Sequence, residues 1–134
     1  MMRLYEPGDE FRIDANEHST NELIEDIWGD DSYIKYSQEV EGHVMAIMVF
    51  KSYCERCYIG FFLIAKGYTA RMAKELRSFV HDTFKRYNMI RVHTESLACA
   101  VIDRWHKFLG FEFEGLRRKL YNQKDYKSWA IVGE

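Results

Sequence analysis

Residues 58–74 read YIGFFLIAKGYTARMAK. Tyr58 to Ala65 is a nearly continuous apolar run, as expected of a central strand buried on both faces. Lys66-Gly67-Tyr68 breaks it. From Thr69 to Tyr87 apolar residues return at helical spacing, with Met72, Leu76, Phe79, Val80, Thr83 and Phe84 on one stripe. Asn88 stops the helix. A strand that turns into a long helix implies a right-handed crossover to a parallel neighbour. The free N–H groups at the head of such a helix attract phosphate. Lys66, Arg71 and Lys74 add cations at that end. Any strand–loop–helix unit has this geometry, so an ordinary crossover stays open. The spacing of a Walker loop is absent, and so is a dinucleotide fingerprint.

Upstream, Met2 to Phe11 reads as a short strand. Asn16 to Trp28 reads as a helix, with Ser19 or Thr20 as cap, Glu22 and Glu25 in its early turns, and Leu23, Ile24 and Ile27 as its stripe. Gly29-Asp30-Asp31 ends it. Ser32 to Val40 and His43 to Tyr53 read as strands joined at Glu41-Gly42, and Cys54-Glu55-Arg56-Cys57 turns into the quoted run. Downstream, Met89 to Thr94 is a strand. Leu97 to Leu109 is a helix stopped by Gly110. Phe111 to Leu120 and Ser128 to Val132 are closing strands, with Asn122-Gln123-Lys124-Asp125 between them. The expected fold class is α/β (α+β), a mixed sheet of about six to seven strands with helices on both faces, in the order β-α-βββ-α-β-α-ββ. No repeat or linker divides residues 1–134, so one domain is expected.

The 134 residues are 47% hydrophobic and 30% charged, ordinary for a globular chain. Aromatics at 16% argue against disorder. No apolar run is long enough for a membrane span, and the N-terminal residues have no apolar signal segment. A cytoplasmic protein is expected. The net charge of −2 hides an asymmetry. Residues 1–65 carry 13 acids and 5 bases, while residues 66–134 carry 8 acids and 14 bases. A basic half suits a phosphate-bearing ligand and an acidic half a cationic one, although solvated faces explain the same counts.

The element order, the loop-to-helix turn after the third meander strand, and a later helix ending in Leu109-Gly110-Phe111 with Glu114-Gly115 behind it resemble the Gcn5-related N-acetyltransferases (GNAT). The likeness covers nearly the whole chain in architecture and is firm in motif terms from about Tyr58 to Gly115. Trp105, the G-F-x-x-E-G segment and Asp125-Tyr126 place it nearest the small acetyltransferase-like proteins of tailed phages, which would put it in a host cytoplasm or a virion.

The resemblance implies acetyl-CoA as acyl donor and an amine as acceptor. The family holds the CoA pyrophosphate in a [Q/R]-x-x-G-x-[G/A] loop, which falls here on Tyr68, Thr69, Ala70, Arg71, Met72 and Ala73. Only Ala73 matches. Tyr68 replaces the Gln or Arg, and Arg71 replaces the glycine that permits close backbone approach. An arginine there can instead meet phosphate bidentately. Lys74 completes the phosphate set, and the backbones of Leu63 and Ala65 are expected beside the acetyl-pantetheine arm, between the fourth and fifth strands. The family's early-helix Asn corresponds to Cys99, and its Tyr, which protonates the departing thiolate, to His106. A histidine can serve as that acid. With no carboxylate between Glu55 and Glu75, the nearest base by topology is Glu95. Trp28, Asp30 and Asp31, with Glu22, Glu25 and Asp26, form an acidic, aromatic lip suited to an ammonium group on a small molecule or protein. Each of these side chains also has a plain structural reading.

Cys54-x-x-Cys57 lacks the second pair that a zinc site wants, so no metal is expected. The basic residues Arg86, Arg91, Arg104, Lys107 and Arg117 to Lys119 are scattered over several elements, so no nucleic-acid partner is expected. The apolar strand His43–Tyr53 and the final strands could support a homodimer. Two functions remain open. One is acetyl-CoA-dependent N-acetyl transfer to an amine. The other is a catalytically inactive protein of the same fold, serving a phage as a structural or host-interaction protein.

Overall fold

A computed structural model describes residues 1–15 and 27–133. Its elements are β1 (Met2–Leu4), α1 (Asp9–Arg12), β2 (Ile34–Val40), β3 (His43–Cys54), β4 (Cys57–Ile64), α2 (Ala70–Arg86), β5 (Arg91–Leu97), α3 (Ala100–Leu109), β6 (Glu112–Tyr121) and β7 (Lys124–Val132). The seven strands form one sheet in the order β1-β2-β3-β4-β5-β7-β6. The β4–β5 pair is parallel and the other pairs are antiparallel. This is the mixed α/β architecture expected, and from β2 onward the elements follow the expected order, while α1 falls inside the expected first strand.

Strand alternation splits the apolar residues between two cores. Tyr36, Ala46, Met48 and Phe50 pack with Leu76 and Val80 of α2 and Leu109 of α3. Val44, Ile47, Val49, Leu63 and Ala65 pack on the opposite face with Ile13 and Ile27. Each helix stops for a visible reason. Asn88, just past the Tyr87 cap of α2, takes φ 52°, and Gly110 closes α3 at φ 98°. Among the described residues no helix is long and apolar enough to cross a membrane.

Several expected boundaries move. The first strand stops at Leu4 because Pro7 and Gly8 turn the chain into α1, with Gly8 at φ 101°. The helix expected over residues 16–28 lies outside the described residues except for a turn at Ile27 to Gly29. Ser32 belongs to a turn, its N–H donating to Asp30 Oδ1 at 2.9 Å. β5 continues to Leu97, which pairs with Tyr126, so α3 starts only after Cys99. The last loop shrinks to Asn122-Gln123, both at positive φ (48° and 59°), a two-residue hairpin turn that lets β7 begin at Lys124.

One further expectation changes. β4 is not buried on both faces: only Gly60 and Leu63 of its eight residues are buried. It pairs with β5 at just three positions, so its far half lacks a neighbour on that side. Ile47 to Phe50 of β3 are fully buried inside the sheet, while Tyr53 near its end is half exposed. β1 and β6 are the sheet's edges, and on β6 Phe113, Leu116 and Leu120 are about half exposed.

Candidate functional site

The β4–β5 ladder runs Cys57↔Arg91, Tyr58↔Val92 and Ile59↔His93, then ends. Beyond it the strands part, and the gap opens toward the head of α2. The peptide groups of Leu63 and Ala65 turn away from this gap, Leu63 pairing with Ile47 and Ala65 donating to Met45 O at 2.9 Å, both toward β3, while their side chains are sunk in the core. On the gap side Lys66 N donates to Asp14 O at 2.8 Å and Ala15 bridges to Ala65, so residues 14–15 flank the end of β4 there. Past Ile59 and His93 the fourth and fifth strands no longer pair.

Gly67 at φ 75° turns the chain out of Ala65 and toward α2. Thr69 caps the helix, its Oγ1 accepting from Met72 N at 3.3 Å. The first helical bond is Ala73 N to Thr69 O, which leaves the N–H groups of Ala70 and Arg71 without intrahelical acceptors. No acid stands in the first turn. Ala70, Arg71 and Lys74 are exposed, while Ala73 is buried against the sheet. Free amides, a helix dipole and two mobile cations fit an anion such as a CoA phosphate. The arginine in the glycine position extends into solvent rather than into the loop.

One residue that fixes this loop escaped the sequence reading. Gln38, fully buried on β2, donates to Met72 O and to Glu75 Oε1, both at 3.0 Å. Tyr68 donates its hydroxyl to Gln38 Oε1 and stands edge-on to Trp105 at 5.5 Å. Gln38 thus ties Tyr68 and the first turns of α2 to β2. Its signal was a polar residue on the inward-facing register of an alternating strand.

His106 is 5% exposed. Its Nδ1 donates to Ile102 O at 2.9 Å, and its ring stacks on Trp129 at 5.4 Å and 16°. A carbonyl partner keeps the proton on Nδ1 and leaves Nε2 as an acceptor. Burial lowers the pKa of the ring, so the neutral form predominates at pH 7. In the neutral form the ring's one proton is engaged with Ile102 O, so the expected acid role is open only to the cationic form. Cys99 is the half-buried N-cap of α3 and makes no side-chain cap bond.

Glu95 lies two residues past the last β4–β5 rung, on the face opposite α2 and α3. Its carboxylate is 3.5 Å from Ser128 Oγ and 3.9 Å from Arg117 Nε. His93, on the same face, has its pKa lowered by burial and by Arg91. Trp28 stacks on Tyr5, and Lys35 Nζ donates to the carbonyls of Ile27, Trp28 and Asp30. Asp30 and Asp31 are exposed. This lip is level with the last rung, because Ser32 accepts from Lys51, which pairs with Ile59. It lies two strands from β5, on the order of 10 Å away. Glu22, Glu25 and Asp26 fall outside the described residues. The three cysteines are free, and among the described residues no three metal-binding side chains converge.

No family model matches the sequence, and no curated protein matches it. Solved structures match its fold. The ribosomal-protein-S18-alanine N-acetyltransferase of Escherichia coli aligns at TM-score 0.78 and 15% identity, over 98% of this chain and 92% of that one. A spermidine N-acetyltransferase SpeG variant of Vibrio cholerae aligns at 0.73 and 14%, over 98% and 94%. A GNAT-family acetyltransferase of Bacillus anthracis aligns at 0.70 and 16%, over 98% and 93%. The chain has the GNAT acetyltransferase fold. At these identities the likeness is one of fold, and the activity rests on the site.

Proposed function

We propose that this chain is an acetyl-CoA-dependent N-acetyltransferase acting on an amine. The observation that carries the reading is the gap between β4 and β5, which opens onto an acid-free helix head bearing Arg71 and Lys74. Amides from Thr69 to Ala73 and these two cations hold the phosphates. Leu63 and Ala65 back the strand that borders the arm, and Cys99 is assigned to the same arm on its place at the head of α3. Acetyl-CoA supplies the activated acyl group. Glu95 takes a proton from the acceptor ammonium, directly or through water, and the amine attacks from the face opposite α2 and α3. Trp28, Asp30 and Asp31 edge that face. Positioning supplies most of the rate. A thiol with an ordinary pKa near 8.5 departs as thiolate without a dedicated acid. Only the cationic form of His106 could hasten that step, and this route fades as pH rises.

Calorimetric titration with acetyl-CoA and with CoA tests the reading. Micromolar binding is expected, and Arg71→Ala is expected to weaken it about tenfold, roughly 1.4 kcal/mol. Absence of heat up to millimolar ligand in a folded sample would overturn the reading in favour of a non-enzymatic protein.

A further inference from the structure

β5, β7 and β6 bring a second group of side chains to the face on which the acceptor must arrive. Glu95 pairs in register with Ser128, and His93 with Ala130. β6 bulges between Phe113 and Gly115, leaving Glu114 out of register, and a depression opens there, lined by Glu114, Gly115, Leu116, Arg117 and Ser128. Arg91 is already neutralised by two hydrogen bonds from its guanidinium to Glu114. Arg117 is the charge left lining the depression, and Glu95 stands beside it, 3.5 Å from the lining Ser128 Oγ. Arg117 Nε donates to Ser128 Oγ at 3.1 Å, and the serine hydroxyl turns toward Glu95. Glu95 is 26% exposed and Arg117 60%, so the pair is reachable and its arginine can swing.

Resting on the acetyl-transfer reading, we propose that the acceptor is an α-amino acid, its ammonium bound by Glu95 and its carboxylate by Arg117 with the Ser128 hydroxyl. A carboxylate and a guanidinium 3.9 Å apart match opposite charges borne on one carbon. Insertion exchanges one exposed ion pair for two, while a polyamine would bring its second ammonium against Arg117. Glu95 then has two tasks, anchoring the ammonium and removing its proton. Of the three ammonium protons, one passes to Glu95 and on to water, one remains on the amide, and one reaches the departing thiolate. The nitrogen lone pair forms the new C–N bond, and the C–S bond breaks with its electron pair on sulfur. The neutral amide no longer pairs with Glu95, which aids product release.

The test compares each L-amino acid with its decarboxylated amine, for example lysine with cadaverine and phenylalanine with phenethylamine. Thiol release is followed and the product checked by mass. The amino acid is expected to exceed its amine in kcat/KM by about tenfold or more. Arg117→Gln is expected to bring that ratio near one, and Arg118→Gln, which alters a neighbouring charge outside the cluster, to leave it in place. A protein that binds acetyl-CoA but shows a ratio of one or less overturns the proposal alone. A ratio that survives Arg117→Gln also overturns it. Failure to bind acetyl-CoA overturns both this proposal and the function it rests on.

Discussion

Asp9 and Glu95 each hold an arginine and a serine, yet the two clusters have opposite characters. Asp9 is 1% exposed. It accepts from Arg3 at 2.8 and 3.1 Å, from Ser37 Oγ at 2.7 Å and from Glu6 N at 2.9 Å, with Arg12 at 3.3 Å. Arg3 and Arg12 both reach on to Glu39. The knot ties the N-terminal turn and α1 to β2. Glu95 has looser contacts, 3.5 Å to Ser128 and 3.9 Å to Arg117, and solvent reaches it. The residue types are shared, so type does not set the role. Bond saturation and burial do: a carboxylate whose lone pairs are all engaged in the interior is structural, and one held loosely at an opening can bind or accept a proton.

The largest expected effect of breaking this contrast is on stability. Asp9→Ala leaves Arg3 half-buried and short of partners and is expected to cost about 3 kcal/mol in denaturant unfolding. A cost no greater than that of the matching change at Glu95 would break the comparison. Next comes pH. Burial pushes the Asp9 carboxyl up, but Arg3, the Glu6 amide and Ser37 outweigh it and bring it to about 2, against an ordinary value of 3.8. A carboxyl with a lowered folded pKa stabilises the protein above its unfolded value. That contribution, about 2 kcal/mol, is present above pH 4 and is lost as pH falls toward 2. Acid titration of wild type against Asp9→Asn reads it as the difference between the two curves, and superimposed curves would refute it. The smallest stability effect is expected at the open cluster. Glu95→Gln is expected to change stability by no more than about 0.5 kcal/mol. Turnover at neutral pH is expected to fall about a hundredfold, measured as thiol release.

Much of the fold was legible because it is written locally. The apolar run of β4, the stripe of α2 and the stops at Asn88 and Gly110 depend on residues within a few positions of each other. The cationic, acid-free head of α2 was legible for the same reason. The turn at Asn122-Gln123 was read as twice its length because neither residue is the glycine that usually marks two successive positive φ angles. β4 was misjudged because its composition reports how apolar it is, and its burial depends on where β5 leaves it.

The amino-acid sequence by itself determined the order of elements from β2 onward, the two-sided patterning of the strands and the cationic character of the α2 head. Tertiary structure decided which polar side chains meet. Gln38 reaches Met72 across 34 positions, and Glu95 reaches Ser128 across 33. Such pairings follow from strand register, which the whole set of buried contacts selects, so no local pattern announces them.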